Sequence, residues 1–459
     1  MISFSRQYVP VAILVQVVME ALLLSAVVIL AIKLNPNHDG PISRETIALA
    51  IFFTAVVIPL SAAFGLYTAK PNRPTARAIA LTAFMLLVGA GAVYAASYLM
   101  PQGRRLQDAL AVAMVVALLG IIAIRQLMRI VIRQRSASHR VLIVGTGAQA
   151  VMVASALSEV QSKGFKVAGF YAANDGAEPL IPKEQIVAEE PIDLAARRLG
   201  VSEIVVAVAN QRGGVLPLRQ LLECKAHGLR VTNLSGFFER LRGEVPIETL
   251  KASWLIYGDG FKQGRARAFA KRLTDILASV ILLTLAAPVM AITALAILIE
   301  SGRPILYRQE RVGRGGRAFT VIKFRSMRQD AERDGARWAA KNDDRVTRVG
   351  RLIRRCRIDE IPQLFNVLTG DMSLVGPRPE RPKFVEALTA EIPFYALRHS
   401  MKPGVTGWAQ VRFHYGSSVD DARRKLQYDL YYVKNNSLAL DLWILLETIR
   451  VVILREGAQ

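Results

Sequence analysis

The sequence predicts three consecutive parts: an α-helical membrane region, an α/β module with a parallel sheet, and a membrane-anchored, mostly helical α/β domain. Three observations carry this reading. Four apolar stretches crowd into the first 130 residues, strand and helix patterns alternate over residues 139–260, and residues 303–357 hold 17 Lys and Arg against 6 Asp and Glu. The whole chain of 459 residues is 52% hydrophobic, with mean hydropathy +0.30. Disordered chains combine low hydrophobicity with high charge, so this composition excludes disorder. A formal charge of +22 and a pI near 10.3 point to an anionic partner. Two cysteines, Cys224 and Cys356, cannot build a disulfide framework, and the five histidines show no metal-ligand spacing. HExxH, GxxxxGK[ST] and GxSxG are absent, which excludes zincins, P-loop NTPases and α/β-hydrolases.

The membrane region covers residues 1–135. Its apolar stretches are Tyr8–Ile32, Ile47–Leu66, Ile79–Leu99 and Leu106–Ile124, each close to the ~20 residues that cross a bilayer core. Glu20 is the one acid inside them and reads as a packed or interhelical polar group. Loop charge sets orientation. Arg6, Lys70, Arg73, Arg77, Arg125, Arg129, Arg133, Arg135 and Arg140 fall on one side; Lys33, Arg44, Arg104 and Arg105 fall on the other. The richer side is cytoplasmic, and four spans return the chain to it.

Residues 139–260 read as a Rossmann-like α/β module. Val141–Val144 is a strand, Gly145-Thr146-Gly147-Ala148-Gln149-Ala150 a GxGxxA turn, and an Ala-rich helix follows. Further strands are expected at Lys166–Tyr171, Glu203–Ala209 and Leu229–Val231. Gly145 and Gly147 are candidate cofactor-binding residues, although no acid ends the second strand and Asp175 comes late; the alternative is a module that binds no cofactor. A catalytic Tyr-x-x-x-Lys helix is excluded, because Tyr171 and Tyr257 are followed four positions on by Asp175 and Phe261.

Residues 265–459 form the third part. The apolar stretch Leu273–Ile299 is long enough to span, yet both flanks are basic: Lys262, Arg265, Arg267, Lys271 and Arg272 before it, Arg303, Arg308, Arg311, Arg314 and Arg317 after it. Pro288 near its middle bends helices. Residues 273–299 are therefore expected to form a re-entrant helix hairpin with both ends in the cytoplasm; a kinked span is the alternative. Arg and Lys on ordered turns suit phosphate groups, and stacking platforms for nucleic acid are missing, so no nucleic-acid partner is expected. In Arg357-Ile358-Asp359-Glu360-Ile361-Pro362, proline marks a first helical turn and Gly370 a helix stop. Asp359 and Glu360 then sit at a helix N-terminus, where dipole and surrounding cations favour their ionised forms. The apolar tail, Ser437–Leu454, contains Asp441, Glu447 and Arg450, and reads as an interfacial or core helix.

These motifs resemble the bacterial polyprenyl-phosphate glycosyl-1-phosphate transferases. The resemblance is carried by Lys271-Arg272, Pro288, Arg308-Gln309 with Arg311 and Gly313, Lys323-Phe324-Arg325-Ser326-Met327, and Asp359-Glu360 with Pro362-Gln363 and Asn366. It continues through Gly370-Asp371-Met372-Ser373, Gly376-Pro377-Arg378-Pro379, Lys402-Pro403-Gly404 and Thr406-Gly407-Trp408-Ala409-Gln410. Four spans and a Rossmann-like module resemble the long members of that family. One departure is Ala287, where the family often has Ser. The resemblance implies transfer of a sugar-1-phosphate, glucose favoured, from a UDP-sugar to undecaprenyl phosphate, with UMP released, at the cytoplasmic face of the bacterial inner membrane. It implies exopolysaccharide or related glycan biosynthesis, contact with membrane lipid and a possible homodimer. It makes Asp359 the nucleophile and implies Mg²⁺ held by Glu360 with Asp359. Lys323, Arg325, Arg345, Arg348, Arg354 and Arg378 are the candidate phosphate contacts. A nucleotide-sugar oxidoreductase or epimerase, and a non-catalytic assembly scaffold, are the competing classes.

Overall fold

A computed structural model of the chain describes residues 11–33, 43–67, 75–97, 103–136, 139–159, 165–173, 178–187, 190–208, 216–247, 250, 260–261, 264–331, 343–413 and 418–453. Asp175, Tyr257, Lys262, Arg6, Lys70 and Arg73 lie outside the described residues. The fold is mostly helical, with apolar helices first and a mixed α/β region after them. The chain divides into two compact units, Met1–Thr54 with Ala69–Leu250, and Ala55–Thr68 with Lys251–Gln459.

The chain opens with α1 (Val11–Lys33), α2 (Arg44–Ala63), α3 (Thr75–Ser97) and α4 (Gly103–Ser136), of which α1, α3, α4 and the first part of α2 belong to the first unit. All four are long and apolar enough to cross a membrane. The last helix runs twelve residues past Ile124, the end expected from hydropathy. Apolar runs mark the part of a helix that suits lipid, and the following Arg-rich turns keep good helix formers. Glu20 on α1 is tied across the bundle. Arg125 of α4 donates to both its oxygens, at 2.9 and 3.0 Å, and to Thr82 Oγ1 of α3 at 2.5 Å. Gln16 Nε2 donates to Glu20 Oε1 at 2.8 Å. One buried ion pair thus joins three helices where no water competes.

The same unit holds a four-stranded parallel sheet, order β2-β1-β3-β4, made of β1 (His139–Val144), β2 (Phe165–Tyr171), β3 (Glu203–Val206) and β4 (Arg230–Asn233). β1 is central and its Val141–Val144 run is fully buried, as expected of a strand covered on both faces. Val141 and Ile143 pack against α5 (Ala148–Glu159) and α8 (Leu234–Leu241). Leu142 and Val144 pack against α6 (Ile192–Arg198) and α7 (Leu218–Ala226). Gly145 has φ +123°, and a Cβ there would lie 2.5 Å from the Ala207 carbonyl oxygen. Gly145 and Gly147 are both buried, and Leu180 donates its N–H to the Thr146 carbonyl at 2.9 Å.

α9 (Arg265–Ser301) belongs to the second unit, and its helical run includes Pro288. A hairpin follows, β5 (Leu306–Val312) antiparallel to β6 (Ala318–Phe324). Then come α10 (Arg348–Arg355), α11 (Gln363–Thr369), β7 (Ser373–Val375) and α12 (Pro382–Glu391). β8 (Gly404–Thr406) pairs in parallel with β7. α13 (Trp408–Arg412), α14 (Val419–Asn435) and α15 (Leu438–Ile453) close the unit around the buried rings of Trp408, Tyr431 and Tyr432. The tail helix packs through Leu440, Trp443 and Ile444 and exposes Leu438, Leu442 and Val452.

Replacing Arg125 by Ala strands the Glu20 carboxylate among apolar helices, and we expect a loss of about 3–5 kcal/mol. The Glu20→Ala, Arg125→Ala pair should be closer to wild type than Arg125→Ala alone. Thermal unfolding in detergent measures both.

Candidate active site

Asp359 and Glu360 lie in one 3₁₀ turn, Ile358–Glu360, just before α11. The turn starts from Arg357 in a left-handed conformation, φ +56°, which is uncommon for a residue with a Cβ. The Glu360 N–H donates to the Arg357 carbonyl at 3.3 Å, and Pro362 caps the helix that follows. Asn366 of that helix stitches it to the hairpin. Its amide donates to the Thr320 carbonyl at 2.7 Å and accepts from the Ile322 N–H at 3.0 Å. Lys323 is the next residue on β6, so this stitch places it beside the carboxylates.

Glu360 gathers the cations. Arg378 donates to its Oε1 at 2.6 Å, Lys323 to the same oxygen at 3.3 Å, and Arg357 stands 3.8 Å away. Asp359 has no such partner: its Oδ1 is buried and accepts no hydrogen bond. The two carboxyls therefore diverge. Burial would raise Glu360, but Arg378, Lys323 and Arg357 prevail and hold it well below the usual carboxylate range. Burial and the Glu360 charge push Asp359 up to about 6, against Lys323, Arg354 and Arg357. The expectation that dipole and cations favour ionisation of both groups thus needs correction for Asp359, because the cations are spent on its neighbour. Burial also lowers the Lys323 amine, with Glu360 opposing.

The pair opens on a cavity of about 850 Å³. Lys323, Arg325, Arg345, Arg354 and Arg378 all line it with Asp359 and Glu360, and Arg348 does not. Arg348 is exposed at the start of α10, where its N–H donates to Glu300 Oε1 at 2.8 Å. Its spacing in the sequence matched that of Arg345, but the helix turns its side chain elsewhere. Arg345 is engaged with Asp343, at 2.8 and 2.5 Å, and with the Ala331 carbonyl. Arg325, 6% exposed, donates to the Ser301 and Gly302 carbonyls at the end of α9, while its Nε and Nη1 have no partner.

Sequence reasoning missed six further cations on the wall: Arg311, Arg328, Arg357, Arg381, Arg398 and Lys425. Arg311 is anchored by Gln309 Oε1 and the Pro379 carbonyl, and burial lowers its guanidinium to about 10. Arg398 pairs with Asp429 at 2.7 Å, both almost fully buried, and donates to Tyr395 Oη and to the Arg378 carbonyl at 2.9 Å. Arg357 stood beside the acidic pair in the motif and was legible there; Arg398 had no local signal. The glycine turn at Gly145 and Gly147 belongs to the first unit and contributes nothing to this cavity.

Residues 266–455 match the family described as bacterial sugar transferase. A UDP-glucose:undecaprenyl-phosphate glucose-1-phosphate transferase of Caulobacter vibrioides is 44% identical over 190 residues, 41% of this chain and 71% of that protein. The chain belongs to the bacterial sugar transferase family. The UDP-N-acetylgalactosamine-undecaprenyl-phosphate N-acetylgalactosaminephosphotransferase of Aeromonas hydrophila is 46% identical over 241 residues, 52% of this chain and 56% of that protein. The undecaprenyl-phosphate glucose phosphotransferase of Komagataeibacter xylinus is 33% identical over 339 residues, 71% of this chain and 61% of that protein. The chain thus spans little more than half the length of those two relatives. The bacterial sugar transferase region contains α9 from Ala266 on and every residue of the cavity wall named above.

Since Glu360 raises Asp359, removing its charge should lower Asp359. We expect carbodiimide labelling of Asp359, which needs the protonated acid, to fall with a midpoint near pH 6. In Glu360→Gln the midpoint should drop by roughly one unit or more. Peptide mass spectrometry across pH reads both.

Proposed function

We propose that this bacterial sugar transferase moves a sugar-1-phosphate from a UDP-sugar to undecaprenyl phosphate and releases UMP, as a first membrane step of exopolysaccharide or related glycan synthesis. The single observation that carries the reading is the divided carboxylate pair on the wall of a basic cavity: Glu360 neutralised by three cations, Asp359 with a buried Oδ1 that accepts no hydrogen bond. The names of the relatives support the substrates, and they divide between glucose and N-acetylgalactosamine.

In the first step an Asp359 carboxylate oxygen attacks the phosphorus that bears the sugar. The bond from that phosphorus to the bridging oxygen breaks, and UMP leaves with the electron pair. In the second step a phosphate oxygen of undecaprenyl phosphate attacks the same phosphorus and frees the carboxylate. The acceptor is already anionic, so no general base is needed. Arg354, Arg378 and Lys323 line the cavity where the diphosphate charge would be met. For the covalent step Asp359 must be ionised, so kcat/KM should rise with pH through about 6.

Mg²⁺ takes one or two carboxylates together with substrate phosphate oxygens. Among the described residues no group of three or more His, Cys, Asp or Glu could hold a metal alone. The unpartnered Asp359 Oδ1 is a hard oxygen donor. Asp359, with Glu360 once a diphosphate draws off its cations, would hold the ion, which would supply charge neutralisation for the leaving phosphate.

We also propose that residues 273–299 enter and leave the same membrane face, with the catalytic cavity on the cytoplasmic side of the inner membrane. In support, one compact body holds both ends of α9. Arg272 donates to the Val367 and Leu368 carbonyls, and Asp275 Oδ1 accepts from the Leu374 N–H. At the far end Ile297 packs on Phe324 and Ile353, and Glu300 caps α10. Between these ends Leu277, Ile281, Leu285 and Ile292 are exposed. The parallel sheet of the first unit and its glycine turn support the Rossmann-like reading of that module.

The decisive experiment supplies UDP-glucose or UDP-N-acetylgalactosamine with undecaprenyl phosphate and Mg²⁺. UMP release should follow double-displacement kinetics, and labelled sugar-phosphate should stay on the enzyme when the lipid is withheld. Asp359→Asn should lose activity by at least about a hundredfold and trap no label. Retained turnover in that variant would remove Asp359 as nucleophile. For the helix, Arg265→Cys and Arg314→Cys should both resist an impermeant thiol reagent added from the periplasm. Labelling of just one of them would indicate a true span.

A further inference from the structure

Three motifs of the second unit do no work in the cavity: Lys271-Arg272, Gly370-Asp371 and Lys402-Pro403-Gly404. The structure brings parts of all three to one corner. Gly370 ends α11 with φ +96°. A Cβ at that glycine would lie 3.4 Å from Lys402 Nζ and 3.5 Å from Arg272 Nη2. Two cationic groups therefore converge on one point that the missing side chain leaves open. Arg314, on the turn between β5 and β6, adds a third charge close enough to act on the Lys402 amine.

The corner is cationic and not self-neutralised. Among the described residues no ion pair forms to Arg272, Lys402 or Arg314. Two acids are near, Asp275, which accepts the Leu374 N–H, and Asp371, which accepts the Thr369 hydroxyl at 2.8 Å, and neither forms an ion pair with these cations. Burial, with Arg272 and Arg314, lowers the Lys402 amine, and those acids only partly oppose it. Arg272 already covers the last carbonyls of α11, so the negative end of that helix is masked.

The groups are also held in place. Lys402 precedes β8, where the Pro403 carbonyl accepts from the Ser373 N–H at 2.9 Å and Gly404 donates to the Pro377 carbonyl at 2.9 Å. Arg272 is held by its two carbonyl bonds. Preorganised cations lose little freedom on binding. The corner also lies where α9 becomes apolar: Leu273 and Leu277, directly after Arg272, are exposed. A free anion needs no apolar neighbour, whereas a phospholipid brings a phosphate and acyl chains together.

We propose that Arg272 and Lys402 form a phosphate-headgroup site at the Gly370 corner that takes an anionic membrane phospholipid at the foot of α9. Neither lines the catalytic cavity, so the site is separate from the one that handles the sugar nucleotide.

The test uses the full-length chain in neutral detergent and measures binding of dihexanoyl phosphatidylglycerol, dihexanoyl phosphatidylcholine and inorganic phosphate. Phosphatidylglycerol should bind tightest. Lys402→Gln should weaken it by about fivefold, the factor expected of one juxtamembrane cation, and Arg314→Gln by less. Lys402→Arg should retain binding, as should Arg219→Gln, which removes an exposed cation of the first unit. Equal affinity for inorganic phosphate would make the site a free-anion site and overturn the lipid assignment. Equal affinity for phosphatidylcholine, or unchanged binding in both Gln variants, would overturn the site.

Discussion

Two adjacent buried carboxyl groups cannot both be neutralised by the same fixed cations, and the second unit is organised around that constraint. Glu360 takes Arg378, Lys323 and Arg357, and in doing so it stays ionised at almost full burial. Asp359, one residue away, gets only the residual field and a like charge beside it. Its carboxylate is therefore less stabilised by the protein than that of Glu360. That condition suits the nucleophile role proposed for Asp359: an oxygen already satisfied by arginine has little reason to attack phosphorus. The arrangement also links the two residues, since any group that draws Arg378 or Lys323 away from Glu360 changes the field at Asp359.

The constraint holds only if the cations are fixed from behind. Arg378 follows Gly376, where a side chain would collide with the Lys402 carbonyl, so β7 and β8 approach as closely as two backbones can. Its own carbonyl is held by Arg398, and Arg398 is fixed by Asp429 and Tyr395. Lys323 is set by the Asn366 stitch between α11 and β6. Three distant stretches of chain thus converge on Glu360 through main-chain contacts, which makes the site depend on the packing of the whole unit and not on one loop.

This explains which parts were legible in the sequence. The apolar stretches, the central strand Val141–Val144 and the turn from Asp359 to Gly370 rest on local pattern, and their positions follow from spacing alone. Arg398 and Asp429 depend on α14 folding back over the cavity, and no local signal reports that. Arg348 lies off the cavity wall for a related reason. It shares its basic surroundings with Arg345, but the helix cap at Thr347 sends the chain into α10, and Glu300 takes the backbone there. The different ionisation of Asp359 and Glu360 was equally invisible, because it is set by partners 37 and 18 residues from Glu360.

The basic composition also means something narrower than its net charge suggests. Arg325 closes the end of α9 by donating to the Ser301 and Gly302 carbonyls, and Arg272 does the same for α11 at Val367 and Leu368. Carbonyls at a helix end lack the full set of intrahelical partners, and a guanidinium reaches two at once while countering the negative helix end. These two arginines sit near opposite ends of α9, and each reaches a helix end within the same compact body. Their first task is to clamp an apolar helix to a polar body at both ends, a connection that hydrophobic contact alone could not make where the helix faces lipid. A cation count therefore overstates the charge left for substrate. Under the proposed function, what remains for phosphate is set by position: Arg354, Arg378 and Lys323 at the cavity, and Lys402 beside Arg272 at the foot of α9.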